Sequence, residues 1–285
     1  MYPILGQVGP VTILTHDAFT VLALIVGLSL YYGELARRGW LEARIVWISL
    51  AAVICGAIGA RTVTAWEHVE YYTVLEGVPL SQAIESSGKS LIGALAGGYL
   101  GTVLAKRAFG YTRSTGDCYV LAIPVATAIG RVGCFLSELP LGTPTTLPWG
   151  VSVSAEAAAV FARCPGCELP MHPSMLYEIA FNLIAVALIV RYRARVPVVG
   201  DTLKLYLLGA AVFRFLVEFV RGNELQALGL TGPQWVLIPL VGLLLAHFAR
   251  QWWRGAWQVP LPPGGRELAP SPVRVEGRAA GRTAP

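Results

Sequence analysis

The chain has 285 residues, with 22 Lys and Arg against 17 Asp and Glu, for a formal net charge of +5. Only 14% of residues are charged, 55% are hydrophobic, and the mean hydropathy is +0.59. This excludes a largely disordered chain and an ordinary soluble domain, where charged residues make up about a quarter of the total; a bilayer is the natural solvent for so much apolar surface, and a charge this small and scattered gives no argument for nucleic acid.

Residues 1–14 lack a basic stretch and a small-residue cleavage site, so no cleaved signal peptide is expected. Apolar runs then recur at roughly 15–33, 44–63, 90–105, 118–136, 174–191, 202–220 and 234–249. The third run is short and rich in glycine (Gly93, Gly97, Gly98, Gly101), and the fourth holds Pro124 and Arg131. These two are expected to be the least regular, since irregular backbone in a membrane is tolerated where it lines a cavity. No internal repeat of transporter type is present.

Basic residues alternate along the loops: Arg37, Arg38 and Arg44, then Lys106, Arg107 and Arg113, then Arg191, Arg193 and Arg195, then Arg250 and Arg254. The intervening loops carry Glu67, Glu70, Glu76 and Glu85, or the Pro-rich stretch 137–173. The positive-inside rule places the basic loops in the cytoplasm, the N-terminus outside and the C-terminus inside. The expectation is an all-α polytopic membrane protein of about seven transmembrane helices. Residues 1–254 form the membrane domain with an extracytoplasmic loop at 137–173, and residues 255–285 form a disordered cytoplasmic tail rich in Pro, Gly, Ala and Arg.

Five cysteines are present, and Cys164 and Cys167 form Cys-Pro-Gly-Cys in the long outer loop. This pair reads as a loop disulfide, as two unpaired thiols, or as a redox pair of a membrane thiol–disulfide protein. A metal site would need two more ligands, and only His172 is near.

Ionisable residues inside spans are costly and mark function. Arg61, at the outer end of the second span, is either a snorkelling interfacial arginine or part of a site. Arg131 stands between Gly130 and Gly133, which leave room against the guanidinium. Arg214 and Glu218 are four residues apart and share a helix face, with Arg221 one turn further. Either they neutralise each other for insertion, or they belong to a site. Asp117 reads as the N-cap of the fourth helix or as a site residue. In His172-Pro-Ser-Met-Leu-Tyr-Glu178, Ser174 reads as an N-cap, and His172 and Glu178 as acid–base groups or interface anchors. Arginine is suited to bidentate phosphate recognition. The pattern therefore points to a membrane protein that handles an anionic lipid near the outer leaflet.

These residues resemble the motifs of the bacterial prolipoprotein diacylglyceryl transferase family. Gly9-Pro10, Gly59-Ala-Arg61, Ser90 to Gly97, Gly116-Asp117, Gly130-Arg-Val-Gly-Cys-Phe135, Gly142, Pro148-Trp149-Gly150, His172 to Glu178 and Arg214-Phe-Leu-Val-Glu-Phe-Val-Arg221 occur in the family's order. The resemblance covers roughly residues 9–250 and departs at several places. The family's signature asparagine is Cys134, its third-helix histidine is Ile92, the glutamine of its His-Pro motif is Met175, and a late tyrosine is Ala210. His16 and Asp17 stand near the place of a first-helix tyrosine.

The resemblance implies helices around a central lipid-binding cavity in the bacterial inner membrane. It implies transfer of the diacylglyceryl group of phosphatidylglycerol to the lipobox cysteine of preprolipoproteins, the first step of lipoprotein maturation. Arg131, Arg214 and Glu218 are the expected catalytic residues. Arg131, Cys134, Arg61, Asp117, Gly142, His172, Glu178 and Arg221 are the expected substrate contacts. Glu218 either holds Arg214 or assists proton removal, and His16 and His172 are the remaining imidazole candidates for a base. No metal or cofactor motif is present. The departures leave open a homologue of the same fold with an altered substrate or lost activity.

Overall fold

The computed structural model describes residues 4–9, 11–70, 90–137, 142–153, 169–223 and 225–258, with side chains left aside at 8, 11, 63–70 and 91. Cys164, Cys167 and residues 259–285 of the expected tail lie outside the described residues. Among the described residues there are seven α-helices: α1 (Thr15–Arg37), α2 (Ala43–Glu70), α3 (Leu91–Ala108), α4 (Ala122–Leu136), α5 (Ser174–Tyr192), α6 (Asp201–Glu218) and α7 (Gly232–Trp253). They correspond to the seven apolar runs.

A hairpin precedes them, with strand β1 (Ile4–Val8) antiparallel to β2 (Val11–Leu14) and Val8 opposite Val11. This departs from the all-helical expectation. The turn carries Gly9 at φ +60°, a left-handed conformation that glycine adopts without steric cost.

The chain divides into two compact units, Tyr32–Ser114 and Met1–Tyr31 together with Thr115–Pro285. In the first, α2 and α3 cross through glycines. A Cβ on Gly101 would lie 2.6 Å from the Ala51 carbonyl oxygen and 2.7 Å from the Cys55 Cβ, and one on Gly56 would lie 3.2 Å from the Ala94 carbonyl oxygen. Small residues spaced four apart let two backbones approach to van der Waals contact, and such packing holds helices together where lipid removes the hydrophobic drive. Ser90 caps α3 by accepting from the Gly93 amide at 3.2 Å. The glycines of the third span therefore serve helix packing inside a continuous helix, not the irregular backbone expected for it.

In the second unit α4 packs on α5, and α6 on both α5 and α7. Phe181 and Phe213 stack with centroids 4.4 Å apart, and Tyr31 stacks on Tyr119 at 4.1 Å. Tyr206 donates to Asn182 at 2.9 Å, so a buried amide ties α5 to α6. Asp117 corrects the expectation of a cap on its own helix. It lies in a 3₁₀ turn, Gly116–Tyr119, and its carboxylate accepts from the Gly200 amide at 2.8 Å and the Leu203 amide at 3.3 Å. It thus satisfies orphan N–H groups at the start of α6. Ser174 is likewise the first residue of α5, and Pro173 holds the cap position.

The distribution of polarity is inverted relative to a soluble protein. Glu178, Asn182, Asp201, Glu218 and Gln234 are buried, while Trp47, Ile184 and Leu243 are exposed. An apolar exterior over a polar interior is what a bilayer selects. Among the described residues, five segments are long and apolar enough to cross a membrane: Thr15–Arg37, Ala43–Thr62, Gly116–Leu136, Ser174–Arg195 and Gly232–Trp253. Helix α6 is not among them, and it carries Asp201, Lys204, Arg214 and Glu218.

Gly101→Ala places a methyl group against the Ala51 backbone, and overpacking of this kind costs about 1–3 kcal/mol. The thermal midpoint of the detergent-solubilised variant is expected to fall, and an unchanged midpoint would show that the two helices are free to separate.

Candidate active site

The site is built where four helix ends of the second unit meet. α4 and α6 arrive at their C-terminal ends, and α5 and α7 depart from their N-terminal ends. Glu178, in the second turn of α5, is 4% exposed. It accepts from the Arg131 Nε of α4 and, at 2.7 Å, from an Arg221 Nη just beyond α6. Glu218 closes α6 and is 1% exposed. It accepts from Arg214, from the Asn223 amide and, at 3.0 Å, from the Thr231 hydroxyl that caps α7. Arg221 Nε stands 3.9 Å from the same carboxylate. Arg131, Glu178, Arg221, Glu218 and Arg214 thus form one unbroken chain of alternating charge.

Arg131 and Arg214 come from different helices, as expected, and meet through two carboxylates and a third guanidinium. Three cations against two anions leave the chain with one net positive charge. Arg221 Nε is buried and makes no hydrogen bond among the described residues. A buried donor without an acceptor is costly. The arrangement has the charge and the spare donor to accept one oxyanion.

The chain is anchored by groups with no motif signature of their own. Thr231 and Gln234 form a reciprocal capping box, and Gln234 Nε2 also donates to the Phe215 carbonyl at 3.2 Å. The spacing Thr231-Gly-Pro-Gln234 carries the capping signal. Nothing in the sequence links it to Glu218, and Asn223 has no signal at all.

Cys134 is buried one turn from Arg131, whose guanidinium approaches its Sγ to 4.0 Å. It packs with Met171 and Met175, with Phe135, Val151 and Val153 around them. Two departures from the family motif, Cys134 and Met175, therefore fall on side chains of one cluster. Sulfur-bearing side chains of this kind pack in an apolar cluster without needing hydrogen-bond partners.

The two glycines beside Arg131 differ. A Cβ on Gly130 would meet nothing within 4 Å, whereas one on Gly133 would run into the Phe19 ring of α1. Only Gly130 leaves room; Gly133 is where α1 crosses α4. His16 lies one helical turn before Phe19 on α1. Its Nδ1 lies 3.4 Å from the Asp17 carboxylate.

The segment between α4 and α5 is laced across the site. The Thr143 amide donates to the Val220 carbonyl at 2.8 Å, and the His172 amide to the Thr143 carbonyl at 2.9 Å. A Cβ on Gly142 would collide with the Val220 carbonyl and lie 2.9 Å from His172 Cβ. Gly142 is therefore needed for this crossing. His172 Nδ1 lies 3.1 Å from the Tyr177 hydroxyl, which accepts from Trp149 Nε1 at 2.9 Å. Indole is a donor only, so the Tyr177 hydroxyl links Trp149 to His172. The geometry makes His172 an anchor of this loop.

Asp117, as described above, is tied to the opposite end of α6 and is not among the residues gathered here. Arg61 is half-buried on α2 in the other unit. Among the described residues no three His, Cys, Asp or Glu side chains are grouped to hold a metal ion.

The family model described as prolipoprotein diacylglyceryl transferase matches residues 3–250. A phosphatidylglycerol–prolipoprotein diacylglyceryl transferase of Phenylobacterium zucineum is 30% identical over 280 residues, which cover 89% of this chain and 92% of that protein. A protein of the same name from Cupriavidus metallidurans is 29% identical over 262 residues, 84% of this chain and 89% of its own length. One from Bordetella parapertussis is 34% identical over 155 residues, 51% of this chain and 56% of its own length. The match therefore spans little more than half of the Bordetella protein.

Glu178→Gln would leave Arg131 and Arg221 without their shared carboxylate. Removing one partner of a buried ion pair costs about 3–5 kcal/mol, so the thermal midpoint of the variant in detergent is expected to drop markedly. A midpoint equal to that of the unmodified protein would show that both guanidiniums find other acceptors.

Proposed function

Because the chain belongs to the prolipoprotein diacylglyceryl transferase family, we propose that it transfers the diacylglyceryl group of phosphatidylglycerol to the lipobox cysteine of a preprolipoprotein. Glycerol phosphate is the other product. The observation that carries this reading is the buried chain of three arginines and two glutamates with one net positive charge. A phosphodiester bears one negative charge and neutralises it.

The reaction breaks the bond between the glycerol carbon and the phosphate oxygen and forms a thioether. A second negative charge develops on the phosphate as it leaves. Arg131 and Arg214 grip the phosphate, and the spare Arg221 Nε donor receives the growing charge. Donors already held in place cost no reorganisation when that charge appears. Glu178 and Glu218 hold the guanidiniums apart and aimed. Gly130 leaves space beside Arg131 for the head group.

All seven helices cross the cytoplasmic membrane in this reading, including α3 and α6. The N-terminus is outside and the C-terminus inside, as the alternating basic loops require. The site then lies at the outer end of the helices, where phospholipid and the membrane-tethered substrate meet.

Incubation of the purified protein with phosphatidylglycerol vesicles and a lipobox peptide should add one diacylglyceryl mass to the peptide. Arg131→Lys should lower the rate about 10²–10³-fold, because an ammonium keeps the charge and loses the planar fork. Full activity in Arg131→Ala would remove this residue from the mechanism. For topology, a reporter active only outside the membrane is expected to be silent when fused after Arg250, and activity there would overturn the orientation.

A further inference from the structure

The segment joining α6 to α7 is pinned at both ends to one atom. Asn223 at its start and Thr231 at its end both donate to Oε1 of Glu218, the Thr231 hydroxyl at 3.0 Å. Between them the chain forms a braced turn. Leu225 bridges to Thr231, the Gln226 amide donates to the Leu230 carbonyl at 2.7 Å, and the Leu230 amide donates to the Ala227 carbonyl at 3.3 Å. Trp235, in the first turn of α7, donates from Nε1 to the same Ala227 carbonyl at 3.2 Å. The turn nevertheless aims its leucines away from the protein: Leu225 is 69% exposed and Leu228 is 87% exposed. Leu228 also holds φ +57°, a left-handed conformation that a residue with a Cβ enters only at a steric cost. Such a conformation persists where the surrounding structure over-determines it. Presenting a leucine to water in this way gains nothing, whereas presenting it to hydrocarbon removes apolar surface from water.

The partner follows from what adjoins the turn. From Leu225 to Ala249 the sequence holds no Asp, Glu, Lys or Arg. The turn therefore runs without a charge into α7, whose Val236, Leu240 and Leu243 are exposed. That helix is long and apolar enough to cross a membrane, so the turn continues a lipid-facing surface. Trp235 marks the depth: an indole partly outside the protein, with its N–H satisfied, suits the membrane–water interface. The Gln226 and Leu230 amides are already used within the turn and are not offered to a peptide strand. We propose that the Leu225–Leu230 turn is a bilayer-docking surface. Its leucines enter among the acyl chains of the phospholipid leaflet at this end of the helices, the outer leaflet in the orientation given above. Asn223 and Thr231 carry the docking to Glu218, which holds Arg214. The docking stands on the geometry of the turn alone; its effect on the phosphate grip rests on the function proposed above.

The test uses the full-length protein in nanodiscs of phosphatidylglycerol and phosphatidylcholine, with a lipobox peptide present. Leu228→benzoylphenylalanine places a photoreactive ketone at the tip of the turn, and Leu243→benzoylphenylalanine, on the exposed face of α7, gives the lipid-facing comparison. Irradiation is expected to give phospholipid adducts at both positions, identified by mass. No phospholipid adduct at Leu228, or adducts there to the peptide or to this chain in its place, would overturn the docking. Should the Leu228 variant fail to fold, Leu225→benzoylphenylalanine is read by the same criterion. Leu228→Gly tests the coupling, because glycine removes the leucine and adopts the left-handed conformation without steric cost. Its thermal midpoint in detergent is expected to hold or rise. Its transfer rate in the nanodiscs is expected to fall about tenfold, the order of effect of burying one leucine side chain. A lowered midpoint would make the leucine a packing residue and overturn the docking, and undiminished transfer would overturn the coupling to Glu218. If the unmodified protein transfers nothing, the function proposed above and the coupling fall together, while the adducts still decide the docking.

Discussion

The structure depends on keeping five charges out of water inside an apolar bundle. Each guanidinium of the Arg131–Glu178–Arg221–Glu218–Arg214 chain is tolerable only because a carboxylate stands beside it, and each carboxylate because two or more donors do. The attraction offsets the desolvation only when the geometry is good and the remaining lone pairs are satisfied. This requirement dictates much of what surrounds the chain. Thr231 must cap α7 where its hydroxyl also reaches Glu218. Asn223 must lie close beyond the end of α6, and the segment from Gly142 to Thr143 must press against Val220.

A network of this kind is an expensive way to hold helices together. Hydrophobic residues of the same volume would serve stability as well or better. Its use lies in the odd charge. Two carboxylates position three guanidiniums, one positive charge remains, and one buried donor, Arg221 Nε, has no hydrogen-bond partner among the described residues. The same helices place sulfur-bearing Cys134, Met171 and Met175 beside it. A charged grip thus borders a patch with few polar demands, a combination suited to a lipid whose head is ionic and whose chains are not.

The departures from the family motif become coherent in three dimensions. Cys134 and Met175 stand more than forty residues apart in sequence, yet they occupy one buried cluster.

The sequence by itself determined the membrane class, the seven helical segments and the arginines that had to be hidden. Hydropathy runs and the cost of intramembrane charge are local properties, legible one residue at a time. The i,i+4 pair Arg214–Glu218 was equally legible, because helix geometry alone sets it. The hairpin at β1 and β2 escaped because two short strands at a chain end carry too little periodicity. Asp117 was misplaced because a carboxylate beside a helix start looks like a cap for that helix, whereas the amides it serves are eighty-three and eighty-six residues later. Only the tertiary structure decided that Glu178, on α5, would be the hub between Arg131 and Arg221. The reason is physical: a buried charge must be met by whichever partner the packing brings within hydrogen-bonding reach, and that partner is set by how helices cross, which no short stretch of sequence encodes.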